Sequence, residues 1–369
     1  LEDLRSSPCV SRVEAARLPG NLQPLASTAE KIGATRLHYD RRLAGDGTTI
    51  ALIDSPVDIL HPAFFRPDAG RYRWFDLDGD GTITPGEDAV DLDGDGEADH
   101  NETLFLLNGA TVDDFETGAV SHDDASYQPG RDWLYADMNR DRRRNAGPEA
   151  GFLESDPAYA EPTFVVDDVD RDGTLEVHEP LYRLGTSKIE RMVTGSGTYV
   201  RGENLIEAAE GKLPSRSAHG TAVSGILVGG QLGFHRRVGI APRADLVVFA
   251  YPREMQGDRA KHLDALQKAG ELEAEVFLSE WTNPFMRPLD GSTMLEEAMG
   301  RARSRGMPQV VPVGNLNLSG KHVSETVDET GETAVGFEVP EKVELRSSTR
   351  SVDRIFGSLQ WSAGEQAEP

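Results

Sequence analysis

Cysteine is nearly absent: Cys9 is the single one in 369 residues. No internal disulfide can form, and an extracellular chain of this kind would need another staple, such as metal. Basic residues are also scarce. Lys and Arg number 38 against 63 Asp and Glu, for a net charge of −25, and nucleic acid and anionic membranes would both repel such a surface. No run of about 18 apolar residues occurs, so no membrane span is expected. The chain begins at Leu1 without a signal-peptide pattern, which reads as a processed or cropped product whose targeting segment has been lost.

What is present is organised around Ser217-Ala218-His219-Gly220-Thr221-Ala222-Val223-Ser224-Gly225-Ile226-Leu227, a histidine at the mouth of a small-residue helix. That histidine is placed to act as a general base. Gly220 would let another chain approach closely, and Ala222, Ser224 and Gly225 would let the helix pack tightly. Upstream, Thr48-Thr49-Ile50-Ala51-Leu52-Ile53-Asp54-Ser55 reads as a buried parallel strand ending in a carboxylate. Carboxyl ends of such strands are where catalytic groups collect in open α/β sheets. Downstream, Gln309-Val310-Val311-Pro312-Val313-Gly314-Asn315 reads as a second short strand, whose Asn315 amide could donate to an oxyanion.

These three segments, in this order, resemble the subtilisin-like serine proteases, or subtilases. The Asp motif is carried by Ile53-Asp54-Ser55 with Val57-Asp58 and His61-Pro62. The His motif is carried by His219-Gly220-Thr221, Val223 and Gly225-Ile226, and the Asn motif by Gly314-Asn315. Gly239-Ile240-Ala241-Pro242, Ala244 and Leu246 also resemble the strand entry after the family's His helix. Pro56 departs from the glycine usual at its position, so the turn after Asp54 must differ in detail. The resemblance implies a serine endopeptidase. In it Asp54 orients His219, His219 is general base and then acid, and Asn315 stabilises the tetrahedral oxyanion. The family's nucleophile follows the asparagine in Gly-Thr-Ser-x-Ala-Pro. Here Gly185-Thr186-Ser187 precedes His219 and runs into Lys188-Ile189-Glu190, and Ser351, Ser358 and Ser362 lie in or beside alternating β segments. The nucleophile is therefore expected beyond this chain, and the piece alone is expected to be inactive.

About 165 residues separate Asp54 from His219, far more than small subtilases use. Within this insertion Asp76, Asp78, Asp80, Thr82 and Glu87, with Gly81 at position six, fit the twelve-residue calcium loop. Carboxylates two residues apart converge on one hard cation as the chain curls, and glycine takes the φ of the sharp turn. The pattern repeats at Asp91, Asp93, Asp95, Gly96, Glu97, Asp99 and Glu102, and again at Asp168, Asp170, Asp172, Gly173, Thr174, Glu176 and Glu179. Asp137, Asn139 and Asp141 start a fourth copy, read as degenerate because Arg142 replaces the glycine. Three residues lie between Glu87 and Asp91, too few for a helix. Structural calcium loops without paired EF-hands are expected.

The remaining segments alternate as in a doubly wound, mostly parallel α/β sheet: strand 245–250, helix 258–269, strand 274–279, helix 293–305 and strand 309–313. Thr293 with Glu296 makes a capping box, and Gly306 stops that helix. Glu280-Trp281 stands where the family commonly has small residues. Glu280 reads as a solvated loop carboxylate, with recognition of a basic or N-terminal substrate group as the alternative. Segments 333–339, 342–346 and 353–361 alternate like antiparallel strands. They resemble the β-sandwich some subtilases insert after the asparagine.

The expected domains are a possible propeptide tail and linker over 1–25 and a catalytic domain over 26–65 and 185–315. A calcium-binding insertion spans 66–184 and a partial β-sandwich insertion 316–369. The expected partners are a protein or peptide substrate and the protein's own propeptide, with no nucleic acid, and the expected location is secreted or cell-envelope. The alternative is a non-catalytic calcium-binding or adhesion module on a degenerate subtilase scaffold.

Overall fold

The structure, a computed structural model, describes residues 24–109, 127–170, 172–209, 218–251, 258–281, 291–312, 342–345 and 348–351. Asn315, the tail over 1–23 and the expected strands 333–339 and 353–361 lie outside them. The chain divides into two compact units, Leu1–Ile50 with Ser55–Ala250 and Ala51–Asp54 with Tyr251–Pro369. Strand β1 (Thr49–Asp54) is divided between them, and its last five residues are all buried.

In the first unit, helices α1 (Pro24–Lys31) and α2 (Ala34–Asp40) are separated at Gly33, whose φ of 81° ends the first of them. The insertion contributes β2 (Arg71–Tyr72), β3 (Trp74–Phe75), β4 (Ala89–Val90), β5 (Leu104–Leu107), β6 (Trp133–Ala136), β7 (Thr163–Val166) and β8 (Leu181–Arg183). Five of these form an antiparallel sheet in the order β2-β8-β7-β6-β5. Strands β6 and β7 are buried at every residue, the continuous apolar signature of a strand covered on both faces. Trp74, Val90, Leu104, Leu134, Phe164 and Leu181 lead the core of this sheet. The insertion is thus a β-sheet module with its own core, where the sequence reading had only acidic loops.

The same unit continues through β9 (Ile189–Val193), β10 (Thr198–Val200), α3 (Ala218–Val228) and β11 (Asp245–Ala250). Strand β11 pairs in parallel with β9, and β10 runs antiparallel to β9.

In the second unit, α4 (Arg259–Glu271), β12 (Val276–Ser279), α5 (Met294–Ser304) and β13 (Gln309–Val310) alternate as expected, and β12 and β13 pair in parallel. Asp258 caps α4 by accepting from Ala260 N–H at 2.8 Å. Helix α5 starts in the expected Thr293–Glu296 capping box, and Gly306 follows it at φ 98°. Parallel pairing dominates the long-strand sheet of this mixed α/β chain. Near the C-terminus, β14 (Lys342–Leu345) pairs antiparallel with β15 (Ser348–Ser351). That partner begins before the expected 353–361.

Candidate active site

Helix α3 carries His219 exposed near its start, and its buried stripe is Gly220, Ser224 and Val228. The spacing of four puts these three on one face. Gly220 has no alternative: a Cβ there would lie 2.7 Å from Pro56 O and nearer still to Ser55 O. The expected packing residues Ala222 and Gly225 fall elsewhere. Ala222 is exposed and a Cβ at Gly225 would meet nothing within 4 Å, since both point away from the stripe.

The close approach fixes which segments meet. Gly220 N–H donates to Ser55 Oγ at 2.9 Å, and Asp58 N–H donates to Thr221 Oγ1 at 2.9 Å. The residues after His219 are therefore bonded to the residues after Asp54. Asp54 itself is buried at the end of β1, 1% exposed, and its carbonyl accepts Tyr251 N–H at 2.9 Å. Pro56 suits this turn: the hydrogen bonds come from Ser55 and Asp58 on either side, so its missing N–H leaves none of them unmade.

Beyond Asp58, His61 is a structural residue. Its Nδ1 accepts Ala63 N–H at 3.1 Å, starting the short helix Pro62–Phe64, and its ring meets Trp133 edge-on at 6.0 Å. Burial and the nearby Arg144 charge push its pKa down to about 3.

The far end of α3 is held by Lys188 and by the Gly239-Ile240-Ala241 segment. Lys188, fully buried, donates to Val228 O at 2.7 Å and to Gly230 O. Burial, and secondarily Arg66, drives its pKa well down. Gly239, Ile240 and Ala241 N–H groups donate to Gly229, Ile226 and Leu227 carbonyls at 2.8, 2.9 and 2.8 Å. The Gly-Ile-Ala segment thus satisfies the helix's last carbonyls, which have no partner within the helix. Gln231 Nε2 donates to Pro62 O and Phe65 O at 2.9 and 2.8 Å, and its Oε1 accepts from Trp133 of the insertion. Ser187 is buried, its Oγ accepting Ile189 N–H at 3.1 Å, consistent with its exclusion as nucleophile. Glu280 is half-buried; its backbone N–H donates to Ile53 O at 3.2 Å.

Residues 45–337, more than half of the chain, match the subtilase family. The chain belongs to the subtilase family. No curated protein matches it. A structure of the Clostridium perfringens CspB protease shares 13% identity at a TM-score of 0.39, over 79% of this subtilase chain and 41% of that one. The subtilase chain therefore spans under half of that protease chain. Among the described residues no helix is long and apolar enough to cross a membrane.

The acidic loops of this subtilase share one hydrogen-bonding plan. The first residue bonds back to the turn: Asp76 accepts from Gly79 and Gly81 N–H at 2.7 and 2.9 Å, Asp91 from Gly94 at 2.8 Å, and Asp168 from Gly173 at 3.2 Å. The third accepts from the fifth, as Asp78 does from Asp80, Asp93 from Asp95 and Asp170 from Asp172. The fifth accepts from the seventh, in Asp80–Thr82, Asp95–Glu97 and Asp172–Thr174. A buried carboxylate then closes each loop on the N–H of its second residue. Glu102 does so for Leu92 at 2.7 Å and Glu179 for Val169.

In the first loop the closing group is the buried Asp88, on Leu77 N–H at 2.9 Å, while Glu87 is exposed. Asp88 takes the place because it also accepts Thr84 N–H at 2.6 Å. The carboxylates of Asp76, Asp78 and Asp80 lie within 4.8 Å of one another, as do those of Asp91, Asp93 and Glu102 and of Asp168, Asp170 and Glu179. Asp172 lies within 4.8 Å of Asp170 and Glu176 in the same way, Asp95 and Glu97 lie on the second loop outside these clusters with Glu97 exposed, and Thr82 and Thr174 hold the seventh positions of their loops. The first and third loops are also joined: Thr82 bridges Glu176, and Ile83 N–H donates to Leu175 O at 3.1 Å. Loops distant in sequence therefore pair, without flanking helices.

Proposed function

We propose that this subtilase chain carries the acid–base and oxyanion groups of a calcium-stabilised serine endopeptidase. In that reaction His219 takes the proton of a serine nucleophile and returns it to the leaving amine. Asp54 stabilises the imidazolium, and Asn315 donates to the tetrahedral oxyanion. The observation that supports this most is the pair of hydrogen bonds from Gly220 to Ser55 and from Asp58 to Thr221. Together they tie the residues that follow Asp54 to the residues that follow His219, two motifs about 165 residues apart in sequence. The nucleophile lies outside the residues assigned here, the substrate is a peptide or protein, and a secreted or cell-envelope location goes with the reading.

The acidic loops fit calcium. Asp168 Oδ1 and Glu176 Oε2 are buried with no hydrogen-bond partner, so each has oxygen lone pairs left for a hard cation. The residues that would hold it are Asp76, Asp78 and Asp80, then Asp91, Asp93 and Glu102, then Asp168, Asp170 and Glu179 with Asp172 and Glu176. Bound calcium would supply the positive charge that lets these carboxylates sit together.

The test is peptide hydrolysis by the protein containing this chain. Asp54→Asn is expected to lower kcat about 10⁴-fold and Asn315→Leu about 10²- to 10³-fold, while His219→Ala abolishes it. Hydrolysis that survives both Asp54→Asn and His219→Ala would overturn the reading and leave a calcium-binding module.

A further inference from the structure

The loop beginning at Asp137, which looked degenerate in sequence, follows the plan of the other three. Asp137 Oδ1 accepts from Arg140 and Asp141 N–H at 2.7 and 3.2 Å, and its Oδ2 accepts from Arg142 N–H at 2.6 Å. Asn139 Oδ1 accepts from Asp141 N–H at 3.0 Å and Asp141 Oδ1 from Arg143 N–H at 2.8 Å. Arg140 and Arg142 adopt φ of 64° and 58°, at the positions where the first loop has Gly79 and Gly81 at 76° and 85°. Their side chains and that of Arg143 are exposed, so the basic run stays out of the loop.

The twelfth position holds Pro148, which offers no carboxylate. Glu161 closes the loop instead, from a separate segment of chain. Its Oε1 accepts Met138 N–H at 2.9 Å, the bond that Asp88, Glu102 and Glu179 make to the second residue of their own loops. Its Oε2 accepts Asn145 N–H at 2.8 Å.

Two further observations ask for a cation here. Asp137 and Glu161 are 1% and 2% exposed, and among the described residues neither makes an ion pair. Buried carboxylates that no ion pair neutralises are costly. Independently, the fully buried Tyr135 hydroxyl has no hydrogen-bond partner. Tyr135 pairs in register with Thr163, so Asp137 and Glu161, two residues along from each, fall on the same face as the phenol. A water in a cation's coordination shell would supply the missing partner. Arg144, whose charge reaches Glu161, gives its hydrogen bonds to Thr163 Oγ1 and Leu60 O.

We propose that Asp137, Asn139, Asp141 and Glu161, with the Tyr135 hydroxyl facing them, form a fourth calcium site closed by a carboxylate from outside the loop. The proposal rests on reading the other three loops as calcium sites. Asn139 in place of an aspartate, and the nearby arginines, make this the weakest of the four sites.

Bound calcium is counted by native mass spectrometry and calorimetric titration of the calcium-free 369-residue chain. The samples are the wild type, Glu161→Gln, and the double variant Asn139→Ala/Asp141→Ala, whose positions are exposed. Four ions are expected in the wild type and three in each variant, with circular dichroism unchanged. Three ions in the wild type, still three in Glu161→Gln, overturn the fourth site and leave the other loops standing. No ions at all overturn both readings. If Glu161→Gln does not fold, the exposed double variant decides, and four ions retained there overturn the proposal.

Discussion

Single residues in this subtilase are constrained by backbone approach more than by side-chain chemistry. Gly220 and Gly225 lie on the same helix, yet only Gly220 faces a neighbouring carbonyl, with Pro56 O 2.7 Å from where its Cβ would be. Gly220→Ala forces the Ser55–Pro56 turn away and is expected to cost about 1–3 kcal/mol. Gly225→Ala meets nothing within 4 Å and is expected to stabilise by up to about 1 kcal/mol through its helix propensity. Urea midpoints of the two variants check this, and equal effects would refute it. Sequence reasoning identified Gly220 as a close-approach position but also assigned packing to Ala222 and Gly225. The direction each faces depends on where the neighbouring chain runs, and composition does not encode that.

At the scale of elements, helix α3 is held at both ends by unlike groups. Near His219 the bonds come from Ser55 and Asp58, and at the far end from Lys188 and the Gly-Ile-Ala segment. Lys188 is buried among carbonyls, and burial drives its pKa well down. The unfolded chain keeps the ordinary lysine value near 10.4. As pH falls below that value the unfolded state takes up a proton the folded state resists, so stability declines by about 1.4 kcal/mol per pH unit. Lys188→Met removes that dependence but leaves the Val228 and Gly230 carbonyls without their donor, a loss of about 1–3 kcal/mol. The wild type should therefore gain on Lys188→Met as pH rises from 7 to 9, measured by urea denaturation at both values. A gap that stays constant would mean that Lys188 remains charged. Nothing in the sequence around Gly185-Thr186-Ser187-Lys188 announces this, because the carbonyls it serves belong to a segment about 40 residues away.

Over the whole molecule, a net charge of −25 works against the compact state through self-repulsion, and the carboxylates of the insertion concentrate it. On the proposed reading, calcium at about a hundred times its dissociation constant would contribute about 2.7 kcal/mol per site against that repulsion. Chelation is expected to lower the melting temperature markedly in scanning calorimetry, and a melting temperature indifferent to chelator would reduce the loops to solvated acid. The sequence by itself determined the order Asp54, His219, Asn315, the alternation of strands and helices after His219, and the acidic loops with their glycines. Each of these is a local pattern, readable within a dozen residues. Only the tertiary structure decided that the insertion is a five-stranded sheet, whose strands of two to four residues are too short to show a period. It also decided that Asp88 closes the first loop, that the first and third loops pair, and that Glu161 completes the fourth. Each of those depends on a carboxylate or strand reaching backbone N–H groups by the path of the folded chain, and no spacing rule along the sequence carries that information.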